Sequence, residues 1–482
     1  MVKWDAVIIG SGIGGLACAG MLAARGRKVL VLEQAATPGG YLTSFRRGGF
    51  TFDSAVDCIA GLEPEGLLTW LLRSLGMEGR LTPIRLDPIR VSRFPGLTVQ
   101  VDASLPAYVE RLSRLFPSER NGIANFFRRA EEVYTAVERL MGSIKEGKEN
   151  PEILYAAFLK YGHLTYADFL RLDIRDERVL ATLSDRCPFL GLSPVRVSAT
   201  RMVSLVMSYF RSGAFRPVGG HQRLPDLLTE GIRRMGGEVC FGRPAKKILL
   251  EGGRCARVET SDGADFPAEH VVSNADFHET FGRLLGGDVG KSILAEACGR
   301  SLSPSFFIAY AGIRRDTSPG AASSIGSYES FYLDELMDRY IPFSDTDALG
   351  ITIPTVEDFS LAPAEHEVFI VHELIPHGYR CNWEREKDAC LEKLLRKAER
   401  VFPGLTKRVV YCEAATPSTL EWYTRNRGGA AYGWNQTPFL SRIRHGISNL
   451  HLAGHWGETG GGVLAAAYSG MRVAARILKA SA

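Results

Sequence analysis

From Ala6 to Ala24 the chain carries no charge: "AVIIGSGIGGLACAGMLAA". The length approaches that of a membrane span, but five glycines interrupt the apolar block and Asp5 spoils the basic flank of a signal sequence. The segment divides better into a strand, a turn and a helix. "DAVIIG" (Asp5–Gly10) is a short run with branched residues, the pattern of a buried parallel strand. A helical pattern follows and ends near Gly26, and "KVLVLE" (Lys28–Glu33) predicts a second strand. Between Arg216 and Asp276 the pattern predicts a helix over Leu224–Met235, then strands joined by turns at Gly252-Gly253 and Asp262-Gly263. Near the end, "NLHLAGHW" (Asn449–Trp456) reads as a strand and turn, and "VLAAAYSGMRVAARILK" as a helix starting at Val463.

Two stretches depart from this βαβ rhythm. Residues 90–215 read as helical and rich in large apolar residues. Residues 281–404 mix strand-like runs such as "HEVFIVHELI" with a charged helix, "EREKDACLEKLLRKAERVF". The expected fold class is therefore α/β, with a βαβ part from 1–89, 216–280 and 405–482 interrupted by the stretches 90–215 and 281–404. "TRMVSLVMSYF" is apolar almost all round, which favours a buried core helix over a substrate lining.

The first turn carries chemistry. Gly10, Gly12 and Gly15 form G-x-G-x-x-G between a strand and a helix, with Glu33 at the end of the second strand. Such glycines permit a tight turn and close approach of a pyrophosphate to the helix N-terminus at Ile13 and Gly14. The acid bonds the ribose hydroxyls of an adenine dinucleotide. Gln34 and a Pro38-Gly39-Gly40-Tyr41 turn follow the acid directly, where a second backbone loop suits a cofactor longer than NAD. At the other end of the chain, Gly461, Gly462 and Val463 open a helix whose free N–H groups and positive dipole end favour negative charge.

Here the sequence resembles the FAD-dependent amine oxidase and phytoene desaturase superfamily. "TPGGYLTSFRRGGFTFDSAVD", "PVGGHQRLPDLL" and "NLHLAGHWGETGGGV" are similar to the branch of bacterial phytoene desaturases, carotenoid cis–trans isomerases and retinol saturases. The resemblance implies bound FAD, held by a Rossmann-like, three-layer ββα domain from 1–89, 216–280 and 405–482 under a discontinuous α+β substrate cap from 90–215 and 281–404. It places Ala245-Lys246 at the adenine, Asn274 at the strand end beside the cofactor, and the C-terminal helix start at the flavin N1/C2 edge. Where many relatives have Gly-Asp, this chain has Gly454-His455, and Glu458 is the candidate substitute acid. His221, Tyr432, Trp434 and His455 are candidates for the flavin surroundings. The implied activity is redox chemistry on carbon–carbon bonds of a long apolar, isoprenoid or carotenoid-like molecule, by hydride transfer at flavin N5, with an external electron acceptor or donor. Two alternatives stand beside it. One is an amine oxidase, which needs an aromatic cage and a lysine that spacing does not locate; the other is a protein that holds FAD only structurally.

Composition narrows the setting. The 58 Lys and Arg against 54 Asp and Glu leave +4, too mild a charge for nucleic acid. The nine cysteines contain no C-x-x-C pair, which argues against a disulfide framework or zinc knuckle and for a reducing compartment. His366 and His372 share a strand face but are too far apart for an evident metal pair, so no metal is expected. The expected location is the cytoplasm or the inner-membrane surface.

Overall fold

The computed structural model describes residues 3–146, 152, 155–315, 322–344, 348–440 and 443–480. Its first half-turn of chain follows the hydrophobic pattern closely. Trp4–Ile9 forms a strand, Ile13–Ala23 a helix and Val29–Leu32 a second, parallel strand. Every residue of that helix is buried, because the sheet lies beneath it and the helices Arg223–Arg234 and Val463–Ala480 flank it. Gly470 permits the closest of these approaches: a Cβ there would lie 1.9 Å from the Gly14 carbonyl oxygen. One small residue thus presses the C-terminal helix against the N-terminal glycine turn.

The parallel core of the sheet runs 450–452, 265–273, 4–9, 29–32 and 238–240. Asp265–Ser273 is shared between layers. Its second half pairs in parallel with Trp4–Ile9, while its first half pairs antiparallel with Arg254–Thr260, which in turn pairs with Ala245–Glu251. Helices cover one face of the sheet and the antiparallel strands the other, with apolar cores on both sides. This is the expected three-layer ββα domain.

The cap has two parts. A helical bundle spans 105–211, packed around Phe126, Tyr166, Phe169 and Met207. A seven-stranded mixed sheet runs 409–415, 305–314, 366–375, 348–352, 324–328, 90–94 and 97–101. Three of its strands depart from the sequence reading. Arg90–Phe94 and Leu97–Val101 form a hairpin at the start of the stretch read as helical. Val409–Ala415, read with the cofactor domain, instead pairs with Ser305–Arg314 and moves that boundary. The charged helix Trp383–Val401 covers one face of this sheet through Leu394 and Ala398. All nine cysteines are free, and no helix among the described residues is long and apolar enough to cross a membrane.

Candidate active site

A trough runs across the cofactor domain from the first glycine turn to the C-terminal helix. Of the residues singled out in the sequence, Gly10, Gly12, Ile13, Gly14, Glu33, Gln34, Gly39, Gly40, Tyr41, Ala245, Asn274, Gly454, His455, Gly462 and Val463 line it, and so does Tyr432. Glu33 is held by the turn itself. Its Oε2 accepts from the Ser11 N–H at 2.7 Å and the Ser11 hydroxyl at 2.6 Å, and its Oε1 from the Ala35 N–H at 2.8 Å. A carboxylate offers about four acceptor positions, so room remains for ribose hydroxyls.

The glycines are required by what faces them. A Cβ on Gly12 would sit 2.6 Å from Asn274 Nδ2, one on Gly14 2.5 Å from the Gly454 nitrogen, and one on Gly454 2.4 Å from Asn274 Oδ1. Gly12 caps its helix without any side-chain hydrogen bond, which leaves the helix N-terminus to bind an anion. Gly15 does not line the trough; its missing Cβ would lie 2.2 Å from the Gly10 carbonyl oxygen, so it serves helix–strand packing. At the far end, Gly462 has φ +101° and nothing within 4 Å of a built Cβ, so its bare face opens onto the trough. An anion-ready helix end, an acid with acceptor capacity to spare and a Cβ-free wall fit FAD.

Several sequence candidates lie elsewhere. Lys246 points outward and pairs with Glu259 at 2.7 Å, so Pro244 and Ala245 form that wall. Glu458 is not a substitute ribityl acid: its carboxylate is held at 3.0 Å by Arg472 and at 3.0 Å by Arg476, on the side away from the trough. A Cβ on Gly461 would meet Tyr432, 2.8 Å from that residue's Cβ. Trp434 is buried against Phe277, His278 and Trp456 and lines a neighbouring cavity. His221 lines neither space; it is a fully buried helix-entry residue whose N–H donates to Asp53 Oδ1 at 2.8 Å.

His455 and Tyr432 remain at the trough. His455 Nε2 lies 3.3 Å from Asn426 Oδ1, which also accepts from Trp456 Nε1 at 2.8 Å. Burial pulls the His455 imidazole down to about 4, so it is neutral at physiological pH. Tyr432 is tied through its N–H to Ser303 Oγ at 2.9 Å and through its hydroxyl to the Pro188 carbonyl at 3.2 Å. Burial raises its phenol well beyond the ordinary range. Sequence reasoning missed Asn426 and Phe306, which carry no motif and reach the trough only through folding, and did not single out Ala55 and Val56 within the stretch that carries the resemblance.

A largely apolar cavity of about 460 Å³, with Arg201, Arg300, Glu458, Arg472 and Arg476 also in its lining, adjoins the trough and shares Gly462 and Val463 with it. Val137, Leu140 and Met141 line it from one bundle helix, Leu205 and Tyr209 from another, and Leu464 and Tyr468 from the C-terminal helix. A second cleft, of about 580 Å³, lies against the cap sheet beside Arg90 and His372, but has no residue in common with the trough.

Fold and trough together define an FAD-dependent oxidoreductase built of a dinucleotide domain and a discontinuous cap. The model of the flavin containing amine oxidoreductases matches residues 13–280, more than half of the chain, and the chain belongs to that family. It is 29% identical to a chloroplastic prolycopene isomerase of Daucus carota, over 98% of this chain and 80% of that protein. A zeta-carotene-forming phytoene desaturase of Myxococcus xanthus is 27% identical, with 98% and 93% covered. An all-trans-retinol 13,14-reductase of Macaca fascicularis is 26% identical, with 94% and 82% covered. Among solved structures, a Methanosarcina mazei oxidoreductase superposes with TM-score 0.66 at 19% identity, covering 97% of this chain and 99% of that one. Cyclohexylamine oxidase of Brevibacterium oxydans does so with TM-score 0.60 at 17% identity, with 100% of both chains covered.

Proposed function

We propose that this FAD oxidoreductase acts on carbon–carbon bonds of a long apolar, isoprenoid or carotenoid-like molecule. The observation that carries the reading is the apolar cavity sharing Gly462 and Val463 with the trough. Named relatives act on prolycopene, phytoene and retinol, which are apolar polyenes or their precursors. FAD supplies the two-electron chemistry, taking or returning a hydride at N5. The protein's part is to hold the substrate in line, keep water out and stabilise charge at the redox end of the trough. The aliphatic and aromatic cavity wall does the first two. The start of the Val463–Ala480 helix serves the third through its dipole. Neutral His455 and a phenol held far from ionisation at Tyr432 suit a reaction with little side-chain proton transfer.

No lysine lines the trough or the apolar cavity among the described residues, which separates the site from the amine oxidase alternative. Phe158 lines the cavity yet is 48% exposed, and the adjacent Leu159 is 75% exposed. This supports a cavity rim that touches a membrane surface on the cytoplasmic side, where free cysteines persist. Electrons then enter or leave through an external carrier.

The test is product analysis with purified holoenzyme and a panel of polyenes, both under air and anaerobically with chemically reduced cofactor. A product lighter by two hydrogens identifies desaturation, one heavier by two saturation, and one of equal mass but altered geometry isomerisation. Flavin bleached by primary or secondary amines and untouched by every polyene overturns the reading.

A further inference from the structure

Arg201 belongs to the cap helix Ala199–Arg211 but binds the cofactor half. Its Nη1 donates to Gln436 Oε1 at 2.7 Å and to the Thr459 carbonyl at 2.9 Å, and its Nη2 to the Glu458 carbonyl at 3.4 Å. Gln436, 1% exposed, extends the contact: its Nε2 donates to the carbonyls of Trp434 at 2.7 Å and Tyr432 at 3.3 Å. The Gln436 carbonyl accepts from the Ser198 N–H at 2.8 Å, at the start of the same cap helix. One cap residue is thereby bonded, directly or through Gln436, to both chain segments that flank the redox end of the trough. The fit is close, since a Cβ on Gly460 would lie 2.0 Å from Gln436 Oε1 and 2.5 Å from Arg201 Nη1.

The charge of this group is uncompensated. All three acceptors are neutral. The nearby Glu458 carboxylate is taken by Arg472 and Arg476, and Arg201 forms no ion pair among the described residues. Burial lowers its pKa only to about 10, so it is a cation at neutral pH. The surface it keeps faces the cavity beside Ser204, Leu205 and Ser208, and this largely apolar wall, which Arg300, Arg472, Arg476 and Glu458 also join, screens charge less than water does. Arg201 itself carries no sequence signal: it stands in a helix whose pattern reads as core, and its acceptors lie more than 230 residues away.

We propose that Arg201 is a positioning residue for the redox end of the trough, holding the turn that precedes the C-terminal helix and lending it a fixed positive charge that favours the reduced, more negative form of the bound cofactor. The inference rests on the trough being the FAD site and is independent of the substrate.

The experiment compares full-length holoenzyme carrying Arg201→Gln, which donates hydrogen bonds without charge, and Arg201→Lys, which keeps the charge without the planar fork. FAD content is measured after denaturation, and the midpoint potential by reductive titration without substrate. The Gln variant is expected to lose at least about tenfold in its preference for reduced over oxidised FAD, a fall of about 30 mV for a two-electron couple. The Lys variant should stay within about threefold of the parent on the same scale. A fully flavinated Gln variant within threefold of the parent overturns the proposal, as does a Lys variant that falls as far as the Gln variant. If the Gln variant does not retain FAD, Arg201→Met serves as the neutral arm with the same thresholds. Failure of the trough as the FAD site is a separate outcome, seen as full FAD content in Gly12→Val.

Discussion

Asn274 is the point on which the two glycine clusters converge. Its side-chain amide occupies the space that Cβ atoms on Gly12, Gly14 and Gly454 would need, so each of those positions excludes a side chain for the same reason. Gly12→Val is therefore expected to displace Asn274 and close the pyrophosphate approach. FAD content should fall at least about tenfold, equivalent to about 1.4 kcal/mol of lost binding, as read from flavin absorbance per polypeptide. Histidines give a second expectation at this scale. Burial holds both His372 and His455 at about 4, whereas an unfolded imidazole takes its proton near 6.5. Their neutral forms thus support the fold above pH 6.5. That support is lost as pH falls from there towards 4, at up to about 1.4 kcal/mol per pH unit for each histidine. Urea unfolding of the apoprotein between pH 7 and 5 should show this slope, and His372→Gln should reduce it. An unchanged slope in that variant would remove His372 from the account.

The helix Ala199–Arg211 shows how one element serves two environments. Met202, Val203, Val206, Met207 and Phe210 pack into the bundle, while Arg201, Ser204, Leu205 and Ser208, spaced i, i+3, i+4 and i+7, face the cavity. The sequence reading as a core helix holds for one face, and the interleaved serines marked the other. Leu205→Trp should fill part of the cavity while leaving the cofactor trough intact. Its expected signature is a loss of about tenfold or more in kcat/KM for the polyene substrate at unchanged FAD content, since overpacking costs about 1–3 kcal/mol. Equal losses of FAD and activity would mean that the helix supports the cofactor rather than the substrate. The hairpin over 90–101 contradicts the helical reading of that stretch, although the alternation of "RVSRF" and "LTVQV" about Pro95-Gly96 made it legible. The placement of Val409–Ala415 was not legible. A short amphipathic strand pairs as readily with one sheet as with another, and only the open edge at Ser305–Arg314 selects its partner.

At the scale of the molecule, a buried ionic cluster joins the halves. Arg216 reaches Asp57 Oδ1 at 2.6 Å and Glu357 Oε2 at 2.8 Å, with 3% of the Arg216 side chain exposed. Asp57 also accepts from the cap-sheet hydroxyls of Ser324 at 2.6 Å and Thr352 at 3.0 Å. Removing one member strands the other charges in a medium that solvates them poorly. Arg216→Ala should therefore cost about 3–5 kcal/mol of stability, measured by denaturant unfolding of the apoprotein. Added FAD should recover part of this by mass action, about 2.7 kcal/mol at a concentration a hundred times its dissociation constant. A loss below about 1 kcal/mol would show that the cluster does not join the halves in this way.

The sequence by itself determined the first strand–turn–helix–strand unit and the helix after the second glycine cluster. A strand, a glycine turn and a helix are local structures, set by hydrophobic period and by positions that tolerate no Cβ, and Gly10–Gly15, Glu33 and Gly462 could be read from their neighbours alone. Tertiary structure decided everything that depends on which distant segments meet. It turned Glu458 towards Arg472 and Arg476 and Lys246 out to Glu259, and it withdrew His221 from the trough. It also brought Arg201 against a turn more than 250 residues further along. A side chain's type states what it can bond, but only packing determines which partner lies within three ångströms, because backbone direction and neighbouring volume settle that choice after the local elements have formed.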